Sequence, residues 1–262
     1  MKKQNIILAV FVIGILFCCL SCVVNVNMRT IKGNGNIITS EKNVSSFEEI
    51  RMSGGVSVNY YASDEYRVRL TVDSNLAEYV EITTKGNVLS IEVEDGSYSF
   101  TKFVVDIYSP HISKITISGS GNFEAIDKMN VQTFRSKITG SGKIKGNFEC
   151  TNFDVCISGS GNINGMVKCD DFSVRISGSG NVTLVGSAKK TAINISGSGS
   201  FEGSEFKINN ATFRVNGSGK INTQVEDYLD ASISGSGNIQ YRGNPETHFS
   251  VSGSGKINSV KD

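Results

Sequence analysis

No tryptophan occurs among the 262 residues, and prolines and histidines number only two each. Two prolines leave no room for a polyproline linker. The two histidines, His111 and His248, lie far apart along the chain, which argues against a shared histidine site. No Cys-x-x-Cys pair follows Cys22, so a zinc ribbon is not encoded, and the sequence calls for no metal and no cofactor. Net charge is also nearly absent, at +1 from 26 basic and 25 acidic residues, and no basic block stands out. Phosphate binding leans on clustered Lys and Arg, so no nucleic-acid partner is expected.

What the chain has instead is glycine, 28 in all, and a period. Gly-Ser-Gly begins at Gly119, Gly140, Gly159, Gly178, Gly197, Gly217, Gly235 and Gly253, in steps of 21, 19, 19, 19, 20, 18 and 18 residues. The second glycines include Gly121, Gly161, Gly180, Gly199 and Gly237. A unit this short cannot bury its own apolar face, so neighbouring units must stack. Two residues before each motif stands Ile117, Ile138, Ile157, Ile176, Ile195, Val215, Ile233 or Val251. The row four before is also mostly apolar, and a row containing Phe134, Phe153 and Phe172 lies six before. Polar rows alternate with these, which is the period of a half-buried strand.

Each unit therefore reads as a strand, a Gly-Ser-Gly bend, a second short strand and a turn. The fold class is all-β: a parallel β-helix of about 19-residue coils. Eight coils would span on the order of 35–40 Å at the strand spacing. Glycine suits a corner that only it tolerates at low cost. The hydroxyls just before each motif could satisfy backbone groups there, and Asn122, Asn162, Asn181 and Asn238 could stack as a ladder. Residues 111–262 carry the regular repeats. Residues 32–110 form a less regular β-rich part of early coils, plus a lobe or cap of antiparallel strands over the solenoid end. There Gly33-Asn34-Gly35-Asn36 and Ser53-Gly54-Gly55 look like degenerate copies of the motif, and Leu76 to Val80 could make one helical turn.

The N-terminus reads as a targeting signal. Lys2 and Lys3 precede an apolar run of 15 residues, Ile6 to Leu20, which is short for a membrane span. It resembles a bacterial lipoprotein signal over residues 1–21, with Cys22 as the lipidated residue and Cys19 where that pattern favours leucine. Residues 22–31 would be a tether, and the membrane would be reached through a lipid anchor. Of the remaining cysteines, Cys150 and Cys169 share one repeat position and are either a disulfide or two reduced thiols in a ladder. Cys156 falls in an outward row.

The recurring Ile-Ser-Gly-Ser-Gly-Asn-Ile pattern and Tyr108-Ser109-Pro110 before the first strong motif resemble the head GIN domain family over about residues 45–258. That family is labelled an auto-transporter adhesin and is common in Bacteroidetes lipoproteins. The resemblance implies a right-handed parallel β-helix in the cell envelope, in an outer-membrane lipoprotein that faces either the periplasm or the exterior. It transfers no catalytic residues.

Two functions from different classes fit. One is a non-catalytic envelope module that binds or scaffolds, with Lys137, Arg175, Asn194 and Arg214 on one outward row as a strip for a glycan or an envelope protein. The other is a polysaccharide-acting enzyme. Glycoside hydrolysis usually needs carboxyls about 5–9.5 Å apart. Asp154 and Asp230, on one outward row, stand four coils apart, so the chain reads as a non-enzyme. Asp64, Glu65, Glu94 and Asp95 in the N-terminal part are the remaining acids to locate. Asp170-Asp171 and Lys189-Lys190 occupy matching positions in successive coils and should pair at the surface.

The in/out register makes a direct prediction. Ile176→Asp buries an unpaired charge and should cost about 4 kcal/mol, whereas Arg175→Ala should stay within about 0.5 kcal/mol. Urea denaturation of both variants checks it, and equal effects would break the register.

Overall fold

The computed structural model describes residues 29–260, so the signal segment and Cys22 lie outside the described residues. Nine glycines stack in one parallel ladder: Gly54, Gly119, Gly140, Gly159, Gly178, Gly197, Gly217, Gly235 and Gly253. Two residues before them, Met52, Ile117, Ile138, Ile157, Ile176, Ile195, Val215 and Ile233 are each at most 2% exposed. The chain is thus a parallel β-solenoid of about eight turns with coils of about 19 residues. Ser53-Gly54-Gly55 is a true early coil, since Glu49–Gly54 pairs in register with Lys114–Gly119.

The two motif glycines answer two contacts with the preceding coil. Gly178 has φ +119, and a Cβ there would stand 2.6 Å from the Gly159 carbonyl oxygen. A Cβ on Gly180 would stand 2.5 Å from Cγ2 of Ile157. With both side chains missing, the bends nest and hydrogen-bond between coils: Ser179 N–H donates to Gly159 O and Asn181 N–H to Gly161 O, each at 2.9 Å. Backbone groups at the bend are therefore satisfied by backbone, not by the serine hydroxyls.

Beyond the bend, a second short strand and a turn are replaced by one extended ribbon. Lys143–Gly159, Asn162–Gly178 and Asn181–Gly197 each run for 17 residues without interruption. The unequal repeat steps are absorbed by irregularities between Thr183 and Gly186, between Gly203 and Lys207, and between Ile208 and Asn210. The asparagine ladder forms only in part: Asn181 Nδ2 donates to Asn162 Oδ1 at 3.2 Å and Ser200 Oγ to Asn181 Oδ1 at 2.7 Å. Inside, Phe134, Phe153 and Phe172 stack at centroid spacings of 5.4 and 5.6 Å. Their row continues with the smaller Thr191 and Ala211.

The N-terminal part closes one end of the solenoid. Val88–Val93 and Phe103–Ser109 extend the parallel ladder, pairing with Glu49–Gly54 and Ser57–Ala62. Antiparallel pairing then takes over: Arg67–Asp73 lies between Ile37–Lys42 and Phe103–Ser109, and Val80–Lys85 pairs with Val88–Val93. One turn of 3-10 helix covers Ala77–Tyr79. Ile31, expected in the tether, already pairs with Tyr98.

Gly33-Asn34-Gly35-Asn36 is not a copy of the bend. It wraps the buried carboxylate of Asp73, which accepts Gly35 N–H at 2.9 Å and Thr101 N–H at 2.8 Å. Burial alone would raise the Asp73 carboxyl, but the Gly35, Lys102 and Thr101 donors hold it below the usual range. At the far end, the coil formed by Glu246–Gly253 and Lys256–Ser259 leaves Phe249 39% and Val251 45% exposed.

Glycine replacements should separate strained from open sites. Gly178→Ala meets both the positive φ and the Gly159 carbonyl, and should cost about 3 kcal/mol or more. Gly35→Ala, at φ +75 with nothing within 4 Å, should cost about 1–2 kcal/mol. Thermal unfolding of both variants checks the difference.

Candidate functional site

Because every coil repeats its register, outward residues of the strand before each bend form straight rows across the solenoid. The row three before the motif reads Thr116, Lys137, Cys156, Arg175, Asn194, Arg214 and Ser232, paired strand to strand. Lys137, Arg175, Asn194 and Arg214 share one open groove of about 490 Å³, floored by Ile157, Ile176 and Ile195. Lys137 and Arg175 are exposed and lie two strands apart, roughly 10 Å at the strand spacing. Among the described residues, no ion pair holds either of them.

Arg214 is different. Its guanidinium is held by the Asp230 carboxylate of the next coil, and Nη1 also donates to Phe213 O at 3.0 Å. That hydrogen bond from Arg214 holds the Asp230 carboxyl below the usual range. The cation at this end of the strip is therefore already neutralised, leaving Lys137 and Arg175 as its free charges.

A second groove, not foreseen from the sequence, adjoins the first on the rows five and seven before the motif. It has a volume of about 570 Å³, and its walls include Asn152, Asp171, Lys190, Asn210, Thr212 and Tyr228. It runs along the row five before the motif, where the small residues Ser173, Ala192 and Thr212 follow one another in register. Those three small outward residues were the available sequence signal.

The acids are mostly engaged. Asp154 pairs with Arg135 at 3.6 Å and Asp170 with Lys189 at 2.8 Å. Asp171 lies opposite Lys190 in register without an ion pair. Among the described residues, no three His, Cys, Asp or Glu side chains gather into a metal-holding group, and Asp64, Glu65, Glu94 and Asp95 do not converge into one. His111 faces Glu48 at 3.5 Å, while His248 is exposed in the last complete row. Cys150, Cys156 and Cys169 are all free thiols. Cys150 and Cys169 are hydrogen-bonded neighbours, and that bond together with burial pushes the Cys169 thiol up.

Comparisons with known proteins place this architecture. A family model described as "Putative auto-transporter adhesin, head GIN domain" matches residues 46–166 and 147–245. A solved "Putative lipid binding protein" from Parabacteroides distasonis ATCC 8503 is 29% identical, with a TM-score of 0.84, over 88% of this chain and 100% of that one. A "putative adhesin" from Parabacteroides merdae ATCC 43184 is 26% identical, with a TM-score of 0.83, over 88% and 99%. Another "putative adhesin" from P. distasonis ATCC 8503 is 28% identical, with a TM-score of 0.84, over 88% and 100%. No curated protein matches the chain.

The thiols should label in order of access. Cys169, 7% exposed and with its thiol pushed up, should resist a maleimide at neutral pH until urea unfolds the chain. Cys156, half-buried in the groove wall, should label in the native protein. Peptide mass spectrometry after timed quenching checks this, and equal rates for the two would refute it.

Proposed function

The chain belongs to the head GIN domain family, and from that premise we propose that it is a non-catalytic binding module of the cell envelope, adhesin-like in use. Its ligand would be an acidic glycan or the acidic surface of another envelope protein. The observation that carries this reading is the pair Lys137 and Arg175: two exposed cations without acidic partners among the described residues, in one groove on a rigid ladder. Side chains on successive in-register strands cannot drift apart, so a ligand meets a preset spacing of charge. Cations of one sign lining one groove favour an anionic group there.

Two further facts support a binder over a polysaccharide-acting enzyme. Asp154 and Asp230 are each engaged by an arginine. They also lie four strands apart in register, roughly 19 Å, where a glycosidase pair needs about 5–9.5 Å. The family and the solved neighbours carry adhesin names, with one named for lipid binding. A lipid phosphate would satisfy the same two cations. In this reading Cys22 carries the anchor, which puts the solenoid at an outer-membrane surface. No helix among the described residues is long and apolar enough to cross a membrane.

Protease treatment of intact and outer-membrane-permeabilised cells, combined with metabolic labelling by an alkyne fatty acid, tests the placement. The fatty acid should label the wild type and not Cys22→Ala. Digestion in intact cells supports a surface adhesin, while protection until permeabilisation moves the module to the periplasm. Absence of label from the wild type would remove the anchor.

A further inference from the structure

Two sulfur atoms meet on the inner side of the solenoid, and neither groove uses them. An inward row runs Val131, Cys150, Cys169 and Ala188 on four successive coils. Burial deepens along it: Val131 and Cys150 are half-buried, Cys169 is 7% exposed and Ala188 3%.

Cys150 and Cys169 face one another where the ladder lapses. Glu149 pairs with Lys168 and Asn152 with Asp171, and the two steps between them carry no ladder pairing. Cys150 is laddered instead to Val131, and Cys169 to Ala188. The strand spacing of about 4.8 Å puts their Cα atoms inside the range of about 4.4–6.8 Å that a disulfide accepts. A regular ladder would hold the Cβ atoms about 5 Å apart, too wide for the bond, and the lapse removes that hold.

The two thiols are chemically unequal. Cys169 donates its S–H to the Cys150 sulfur, and that hydrogen bond outweighs burial to hold the Cys150 thiol below its usual range. The same bond, with burial, pushes the Cys169 thiol up. The more exposed sulfur is thus the better nucleophile, and the buried one touches nothing but its partner's reaction. An accessible activated thiol beside a second thiol that can resolve it is the arrangement that oxidises reversibly. Because Cys150 opens to solvent only in part, the oxidant has to be small. A peroxide, little larger than water, meets that limit.

We propose that Cys150 and Cys169 are a peroxide-oxidisable pair, with Cys150 the attacking and Cys169 the resolving residue, closing to a disulfide between coils. Cys150 gives its proton to solvent, and its sulfur attacks one oxygen of hydrogen peroxide. The O–O bond breaks, Cys150 becomes a sulfenic acid, and hydroxide leaves and takes up a proton as water. The Cys169 sulfur then attacks the Cys150 sulfur. The S–O bond breaks, and the hydroxyl departs with the Cys169 proton as a second water. Two thiols lose two electrons, and one peroxide is reduced to two waters. The bond ties Lys143–Gly159 to Asn162–Gly178, the ribbons that carry Cys156 and Arg175. Cys156 lies between Lys137 and Arg175 in its own row, with no thiol beside it, so its oxidation has no disulfide to end in. The inference is independent of what either groove binds.

The test treats the full chain, reduced and desalted, with hydrogen peroxide, with and without dimedone to trap sulfenic acid. Peptide mass spectrometry after cleavage at Glu149 and Asp154 separates Cys150 from Cys156. The wild type should give a Cys150–Cys169 disulfide with little dimedone on Cys150. Cys169→Ser should carry at least tenfold more dimedone on Cys150, and in Cys150→Ser the Cys169 thiol should stay reduced. The pair staying reduced at a peroxide dose that converts Cys156 to its sulfinic acid overturns the proposal. So does equal trapping on Cys150 in the wild type and Cys169→Ser, or Cys169 in Cys150→Ser oxidising as fast as Cys150 in Cys169→Ser. Where a serine variant fails to fold, the wild type alone decides: the disulfide should form at least tenfold faster in the native chain than in urea, and equal rates would overturn the pairing.

Discussion

Backbone approaches backbone at the Gly-Ser-Gly bend more closely than any side chain allows, and the rest of the molecule follows from that contact. The Gly159 carbonyl oxygen lies 2.6 Å from where a Gly178 Cβ would be, and the same relation recurs from coil to coil. Each bend must therefore sit directly on the one before it. Once bends are superposed, the strands leading into them have no freedom of register. The isoleucine two residues earlier then falls on its counterpart, and the coil beneath the second glycine presents its own isoleucine methyl as the packing surface. Steric absence at two positions sets the hydrogen-bond ladder, and the ladder sets the core.

The same constraint makes the outer face a ruled surface. A residue type at one repeat position becomes a row at about 4.8 Å spacing, and a change of type becomes a local feature. Placing the small residues Ser173, Ala192 and Thr212 in succession on one outward row leaves a groove along it. In a fold with mobile loops the gap would collapse, whereas a ladder fixed on both sides keeps it. Surface relief is thus made in this architecture by small residues along a row, with the backbone unchanged.

The in/out alternation was legible because burial in a stacked strand depends only on parity, as Ile176 and Arg175 illustrate. Reading along rows also located Lys137, Arg175, Asn194 and Arg214 on one line, and it placed Cys150 beside Cys169. Reading along rows alone missed diagonals. Arg214 is captured by Asp230, one coil on and two residues across, a pairing that no single row contains. Gly33-Asn34-Gly35-Asn36 looked like a bend because glycines alone do not say what lies beneath them. What lies there is the Asp73 carboxylate, 38 residues beyond Gly35 in sequence and brought in by antiparallel pairing that the repeat does not encode. The second groove was missed because it lies between two outward rows, and reading one row at a time does not compare them.

The two ends of the solenoid differ, and the difference bears on where a ligand can be held. At the N-terminal end, antiparallel strands cover the first coil and leave Ile50 and Met52 fully buried. At the other end the last coil has a neighbour on one side only, and its inward residues Phe249 and Val251 stand in solvent. A coil with one neighbour keeps half the interface energy of a coil with two, so it opens first. The grooves lie on strands between the Lys137 coil and the Tyr228 coil, and every one of these has a neighbour on each side. The rows with fixed spacing are therefore the interior ones, and only there does binding avoid the cost of ordering the site.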